Sequence, residues 1–200
     1  EAPAEPTEPE TPAAWADVDA NAWYAEAVNY VIDNGIMGST SADANVFSPN
    51  GTVTRATVFQ TFYNMEGQPA VTEAASFTDA AGTWYADSAA WAEDVGLTTG
   101  DGTGAYAGDR AVTRAELATI IARYAQYKGM DTTAGGMAIR EMADYDTIPA
   151  WALEGMTICY NYGILSGKPG NLLDPNGTAV RTELATILMN YANHMVPAEE

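Results

Sequence analysis

Cysteine and histidine are almost missing from this chain, basic residues are few, and no long apolar run occurs. The single cysteine, Cys159, rules out an internal disulfide framework. Its neighbours Met156, Ile158 and Tyr160 suggest a small core residue in a packed helix. His194 is the only histidine, which removes a His-dependent triad and a histidine-rich zinc site. Only 8 lysines and arginines stand against 27 acidic residues, a formal net charge of −19, so a nucleic-acid partner would be repelled. No stretch of about 18 apolar residues exists to span a bilayer. No charged-then-apolar leader opens the chain, so if the protein is exported its leader is expected to have been removed. Carboxylates are plentiful, but none recurs with a partner that marks an acid and a base, and no enzyme is expected. Asp17, Asp19 and Asn21 look like the start of a calcium loop, yet Ala22 and Val28 stand where its glycine and glutamate belong. No cofactor and no metal are expected.

What the chain does have is repetition. The opening EAPAEPTEPETPAA holds four prolines and four glutamates, cannot bury enough surface to offset its ordering entropy, and reads as an extended spacer over residues 1–14. Beyond it one pattern occurs three times, at an interval of roughly 60 residues, over 15–67, 77–129 and 142–196. Each copy opens with an aspartate, Asp17, Asp79 or Asp144. A tryptophan then lies twelve residues before a glycine: Trp23 and Gly35, Trp84 and Gly96, Trp151 and Gly163. After a variable loop come TVTRATV, AVTRAEL and TAVRTEL, which align Arg55, Arg114 and Arg181, three of the six arginines.

The segments between these landmarks predict two helices per copy. Residues 23–34, 84–95 and 151–162 contain no proline and one interior glycine, Gly155, and each precedes a glycine suited to a left-handed cap. The second helix starts at the arginine motif, where Thr113 and Glu116 form a capping box. Leu117, Ile120, Ile121 and Tyr124 then make one apolar stripe, repeated by Leu184, Ile187, Leu188 and Tyr191 and more loosely by Val58, Thr61, Phe62 and Met65. Phe47, Tyr106 and Leu173 are expected to pin the loops between the helices. A pair of helices this short cannot bury two apolar faces alone, so a mainly α domain with three copies around one pseudo-three-fold core is expected, with grooves between neighbours.

The repeated aspartate, WYA, the GI-type glycine turn, the F-x-P-x-GTVTRA stretch and the helix that follows resemble the S-layer homology (SLH) domain in three tandem copies. The resemblance covers nearly all of the chain after residue 14. It implies a non-catalytic module, secreted to the bacterial cell surface, that binds a pyruvylated secondary cell wall polysaccharide in inter-repeat grooves. It also implies that Arg55, Arg114 and Arg181 contact the glycan. The copies are not equal: Thr57 stands where the others have Glu116 and Glu183, and Val180 replaces the capping threonine. Unequal sites are therefore expected.

The residues support an anion site on their own terms. Arginine is disfavoured at a helix N-terminus by the dipole, so three aligned ones need a reason. There, unpaired amides favour an anion, and the planar fork can grip a carboxylate. The competing reading is an ion pair with Glu116 or Glu183. Trp23, Trp84 and Trp151 either stack on sugar rings or fill the core beneath the first helix, where an amphipathic position favours the core. The three aspartates either cap the first helix or take a sugar hydroxyl. Gly100 and Gly167 serve the backbone or let amides approach a ligand. The alternative function is a structural surface-layer protein whose repeats mediate self-association through intersubunit arginine bridges.

Overall fold

A computed structural model describes residues 15–43, 45–133 and 135–198; the expected spacer at 1–14 lies outside them. Six α-helices follow the expected order: α1 (Ala25–Asp33), α2 (Arg55–Met65), α3 (Ala86–Asp94), α4 (Arg114–Tyr127), α5 (Leu153–Asn161) and α6 (Arg181–His194). Three short 3-10 turns lead into α5. Among the described residues the only β pairing consists of isolated bridges. The first helix of each copy starts two residues after its tryptophan rather than at it. Each first helix ends as expected, with Gly35, Gly96 and Gly163 at φ of 66°, 76° and 68°. In this left-handed position the amide after the glycine reaches back into the last turn, for example Ile36 N–H to the Val31 carbonyl at 2.8 Å.

Helices do not pair mainly within a repeat. The first helix of each copy packs on the second helix of the preceding copy, taken cyclically: α3 on α2, α5 on α4 and α1 on α6. The exception in the sequence pattern, Gly155, sits at one of these contacts. A Cβ there would come within 2.7 Å of Thr119 Cα and 3.1 Å of the Ala118 carbonyl, so α5 lies against α4 only because the side chain is missing. Cys159, one turn on, is fully buried against α4 and donates to the Ala118 carbonyl at 3.4 Å. Burial pushes its thiol up to about 12.

The pseudo-three-fold axis is marked by a closed ring of three backbone hydrogen bonds. Val53 N–H donates to the Ala179 carbonyl, Ala179 to Val112 and Val112 to Val53, at 2.9, 3.2 and 3.1 Å. These residues each stand two places before a repeat arginine, and all three are fully buried. Below them the stripes of α2, α4 and α6 close the core. Phe62 stacks on Tyr124 at 4.1 Å and Tyr124 meets Tyr191 at 5.5 Å. Phe47, Tyr106 and Leu173 are fully buried and pin their loops as expected.

The aspartates neither cap a helix nor stand free. Asp17 accepts the N–H groups of Phe47 and Ser48 at 2.8 and 2.7 Å. Asp79 accepts those of Tyr106 and Ala107 at 2.6 and 2.9 Å, and Asp144 those of Leu173 and Asp174 at 2.7 Å each. The second residue of each pair, Ser48, Ala107 or Asp174, has φ between 51° and 56°, a conformation that non-glycine residues rarely adopt. Each carboxylate therefore clamps the loop of its own copy in a left-handed kink, and the kink aims the buried anchor beside it into the core.

Candidate functional site: three grooves between repeats

Three cavities of about 430, 460 and 420 Å³ follow one plan. One repeat supplies two walls, its glycine loop and its second helix. A second repeat supplies the arginine, and the third supplies a tryptophan. Groove A joins Gly100 and α4 with Arg55 and Trp151. Groove B joins Gly38 and α2 with Arg181 and Trp84. Groove C joins Gly167 and α6 with Arg114 and Trp23. The second-helix wall is a stripe at i, i+3, i+4 and i+7: Glu116, Thr119, Ile120 and Arg123 in A, Thr57, Gln60, Thr61 and Asn64 in B, and Glu183, Thr186, Ile187 and Asn190 in C.

The tryptophans project outward, with Trp23, Trp84 and Trp151 at 71%, 63% and 59% exposure. This corrects the expectation of a core position. Each tryptophan precedes its helix and so lies off the amphipathic face, while the tyrosine after the first two and Ala152 after the third turn inward. Tyr24 and Tyr85 meet Trp23 and Trp84 edge-on at 5.5 and 5.3 Å, and Tyr85 is buried. An exposed indole standing over a polar groove offers a flat apolar face to a pyranose ring.

The helix-terminal amides are not free, a second correction. In α2 the first two amides donate to the carbonyls of Arg110 and Gly108 at 2.9 Å each; in α4 to those of Gly177 and Pro175 at 2.9 and 3.0 Å; and in α6 to those of Gly51 and Pro49 at 2.9 and 3.1 Å. Each helix plugs into the loop of the next repeat, which satisfies its orphan donors. The third amide is capped by the motif threonine where there is one, Thr54 at 3.3 Å and Thr113 at 3.2 Å. Any anion in these grooves is therefore met by side chains.

The arginines also cross between repeats. Arg114 donates through Nε to the Leu173 carbonyl and through Nη2 to the Ser166 carbonyl, both at 2.8 Å, and lies 3.6 Å from Glu183. It is 3% exposed. Arg181 makes the equivalent bonds to the carbonyls of Phe47 and Gly38 at 2.6 and 2.7 Å, with its guanidinium 4.6 Å above the Phe47 ring. Arg55 breaks the pattern. Its Nη2 donates to the Thr98 hydroxyl and, at 3.4 Å, to the Gly100 carbonyl, while its buried Nε has no hydrogen-bond partner. Burial lowers all three guanidiniums from their usual value, opposed in Arg114 chiefly by Glu183. The expected partner Glu116 turns elsewhere: it accepts Thr113 N–H at 2.9 Å, completing the capping box, and pairs with Arg110 at 2.8 Å.

Gly100 has φ of 78° and its Cβ position is filled by the Ala105 carbonyl and the Phe77 ring, so its role is geometric and its carbonyl faces Arg55. At Gly167 a Cβ would come within 2.7 Å of Met142 Cε. Sequence reasoning missed Arg110, Arg123 and Lys168, which line grooves A and C. No recurring offset marked them, since Arg110 and Arg123 occur in the second copy alone and Lys168 in the third. Together the grooves take six of the eight basic side chains, Arg55, Arg110, Arg114, Arg123, Lys168 and Arg181, but only three of the 27 acids, Asp101, Glu116 and Glu183. Counted over its lining residues each groove carries a formal charge of +1 on a chain of −19, and in groove C Asp174, beside the lining, pairs with Lys168 at 2.8 Å. Among the described residues no cluster suits a metal ion and no helix is long and apolar enough to cross a membrane.

The sequence profile of the S-layer homology domain matches residues 16–59, 76–118 and 141–185. The chain belongs to that family. An S-layer protein of Bacillus thuringiensis subsp. finitimus is 27% identical over 173 residues, which is 86% of this chain and 20% of that protein. An amylopullulanase of Thermoanaerobacterium thermosulfurigenes is 31% identical over 147 residues, 71% of this chain and 8% of that enzyme. Exoglucanase XynX of Acetivibrio thermocellus is 29% identical over the same length and is covered to 13%. The chain thus spans a fifth or less of each of these relatives, and what it shares with both S-layer proteins and glycan-degrading enzymes is the SLH module, which attaches proteins to the cell wall and is not itself catalytic.

Proposed function

We propose that the SLH triplet anchors its protein at the bacterial cell surface by holding an acidic, pyruvylated secondary cell wall polysaccharide in the three inter-repeat grooves. The segregation of charge carries this reading: a strongly acidic chain gathers most of its cations in three clefts, each with an exposed tryptophan. Screening over about 8 Å at physiological salt limits repulsion from the distant carboxylates, so the local +1 decides the approach of an anion. One charge-assisted hydrogen bond contributes about 1.5 to 3 kcal/mol, and the indole adds ring contact. Single grooves are therefore weak binders. Attachment becomes durable because a repeating polymer meets several grooves at once, each raising the effective concentration at the next.

Arg55, Arg181 and, least accessible of the three at 3% exposure and already facing Glu183, Arg114 are the proposed anion contacts, Trp23, Trp84 and Trp151 the sugar platforms, and Gly100 and Gly167 the loop positions that let the wall come close. In the self-association alternative the arginines bridge subunits, whereas here their donors join repeats of one chain. Sedimentation with purified wall sacculi separates the two readings. Anchoring predicts pelleting with intact sacculi and none with sacculi stripped of polysaccharide; equal pelleting with both would overturn it.

A further inference from the structure

The grooves share a plan but differ in how many cations are already compensated. In groove C, Arg114 faces Glu183 at 3.6 Å, and Lys168 lies 2.8 Å from Asp174 and 3.4 Å from Glu183. In groove B, Thr57 replaces the glutamate and Arg181 is the only charged group of the lining. In groove A, Arg110 pairs with Glu116 through both terminal guanidinium nitrogens, at 2.8 and 3.0 Å. This leaves Arg55 and Arg123 there with no ion pair among the described residues. Asp101, the other carboxylate of that lining, accepts the Thr103 N–H and hydroxyl at 2.8 Å each and keeps its charge, so groove A differs from groove B not in net charge but in presenting two guanidiniums that are free of ion pairs.

Both extra arginines are departures of the second repeat from the common pattern. Arg110 stands where the other copies have Gly51 and Gly177. Arg123 stands where they have Asn64 and Asn190, which donate to the carbonyls of Ile36 and Ile164 at 3.0 and 3.3 Å. The asparagines thus tie helix to loop, whereas Arg123 is exposed and lines the groove. Arg55, on the same lining, also keeps one buried donor, Nε, without an acceptor. Arg110 and Arg123 both act against the charged form of Arg55, while Glu116 favours it.

We infer that groove A is built for a glycan segment carrying two negative groups, one met by Arg55 and the other by Arg123, while groove B takes a single carboxylate. The inference rests on the anchoring reading and adds a charge rule to it. Specificity then lies in the spacing of acidic groups along the polymer as well as in their presence. Arg123 is the residue that sets it.

Each groove has its own indole, so nitrogen–proton NMR of the tryptophan side chains reports on the grooves separately in the intact chain. The probes are methyl galacturonide, with one carboxylate, and digalacturonate, with two, at low ionic strength. Trp151 should titrate about tenfold more tightly with digalacturonate, roughly the effect of one charge-assisted hydrogen bond. Trp84 should show no such preference. Arg123→Asn, which installs the residue of the other two grooves, should abolish the preference at Trp151, and Arg123→Lys should keep most of it. Unmoved Trp23 and Trp84 signals in the free variants verify that the fold is intact. Equal affinity of both probes at Trp151, or a preference that survives Arg123→Asn, overturns the inference and leaves anchoring standing. If no indole shifts with either probe the inference falls, and the sacculus assay decides anchoring separately.

Discussion

Arg114, Arg181 and Arg55 occupy one position of the repeat and yet face different surroundings, which sets different outcomes for their removal. Arg114 is sealed among two carbonyls and Glu183. Arg114→Ala leaves the two carbonyls without their donor, while Glu183 keeps Lys168, and should cost about 3 to 5 kcal/mol in urea unfolding, roughly two buried charge-assisted hydrogen bonds. Arg181→Ala removes two carbonyl bonds at a half-exposed site and should cost about 1 to 2 kcal/mol. Equal losses would contradict the ranking. The aspartates act at this scale too. Amide bonds from the loop, that of Tyr106 foremost, hold Asp79 below the usual carboxylate range. Its contribution is present above the unfolded value near 3.9 and is lost as pH falls through the lower folded one. Thermal scans should show Asp79→Asn reducing Tm by several degrees at pH 7, with the gap closing below about pH 3. The arginine positions and tryptophans were legible in the sequence as aligned landmarks. Their surroundings were not, because Glu183 and the accepting carbonyls belong to other repeats, 52 and more residues away for the Arg114 carbonyls.

At the level of elements, caps and stripes were readable because they are local: glycine turns, the Thr113–Glu116 box and the i, i+3, i+4, i+7 runs all stand as expected. For the tryptophans the sequence leaves sugar stacking and core filling open and favours the core, because a helix begun at the tryptophan puts it on an amphipathic face that in the structure starts only two residues later. Which helix packs on which is not written in any one repeat, although Gly155 marks one contact. Gly155→Ala tests that contact by the sign of its effect. In an open helix the change would stabilise by up to about 1 kcal/mol, but here the methyl meets the α4 backbone and should destabilise by about 1 to 3 kcal/mol. A stabilised variant would show that α5 can retreat at no cost.

The whole molecule is a closed ring, in which each repeat lends its second helix to the next and the three-bond junction at Val53, Val112 and Ala179 needs every copy. Deleting repeat 3 removes α6 from α1 and α5 from α4, so residues 15–129 alone should lack a cooperative calorimetric transition that the intact chain shows. Two sharp transitions in the intact chain would instead mean independent repeats. Closure also creates the grooves, since each needs a wall, an arginine and an indole from three different copies. That is why the sequence could announce grooves between neighbours without saying which residues meet in them. The net charge was equally misleading at this scale, because the average hides three cationic clefts. The direct test of that segregation is calorimetric titration of the intact chain at physiological salt with a pyruvylated wall oligosaccharide and with its neutral carboxyl methyl ester. Charge-selective grooves predict measurable binding of the acid and at least a tenfold loss for the ester, and equal affinity for the two would contradict the account.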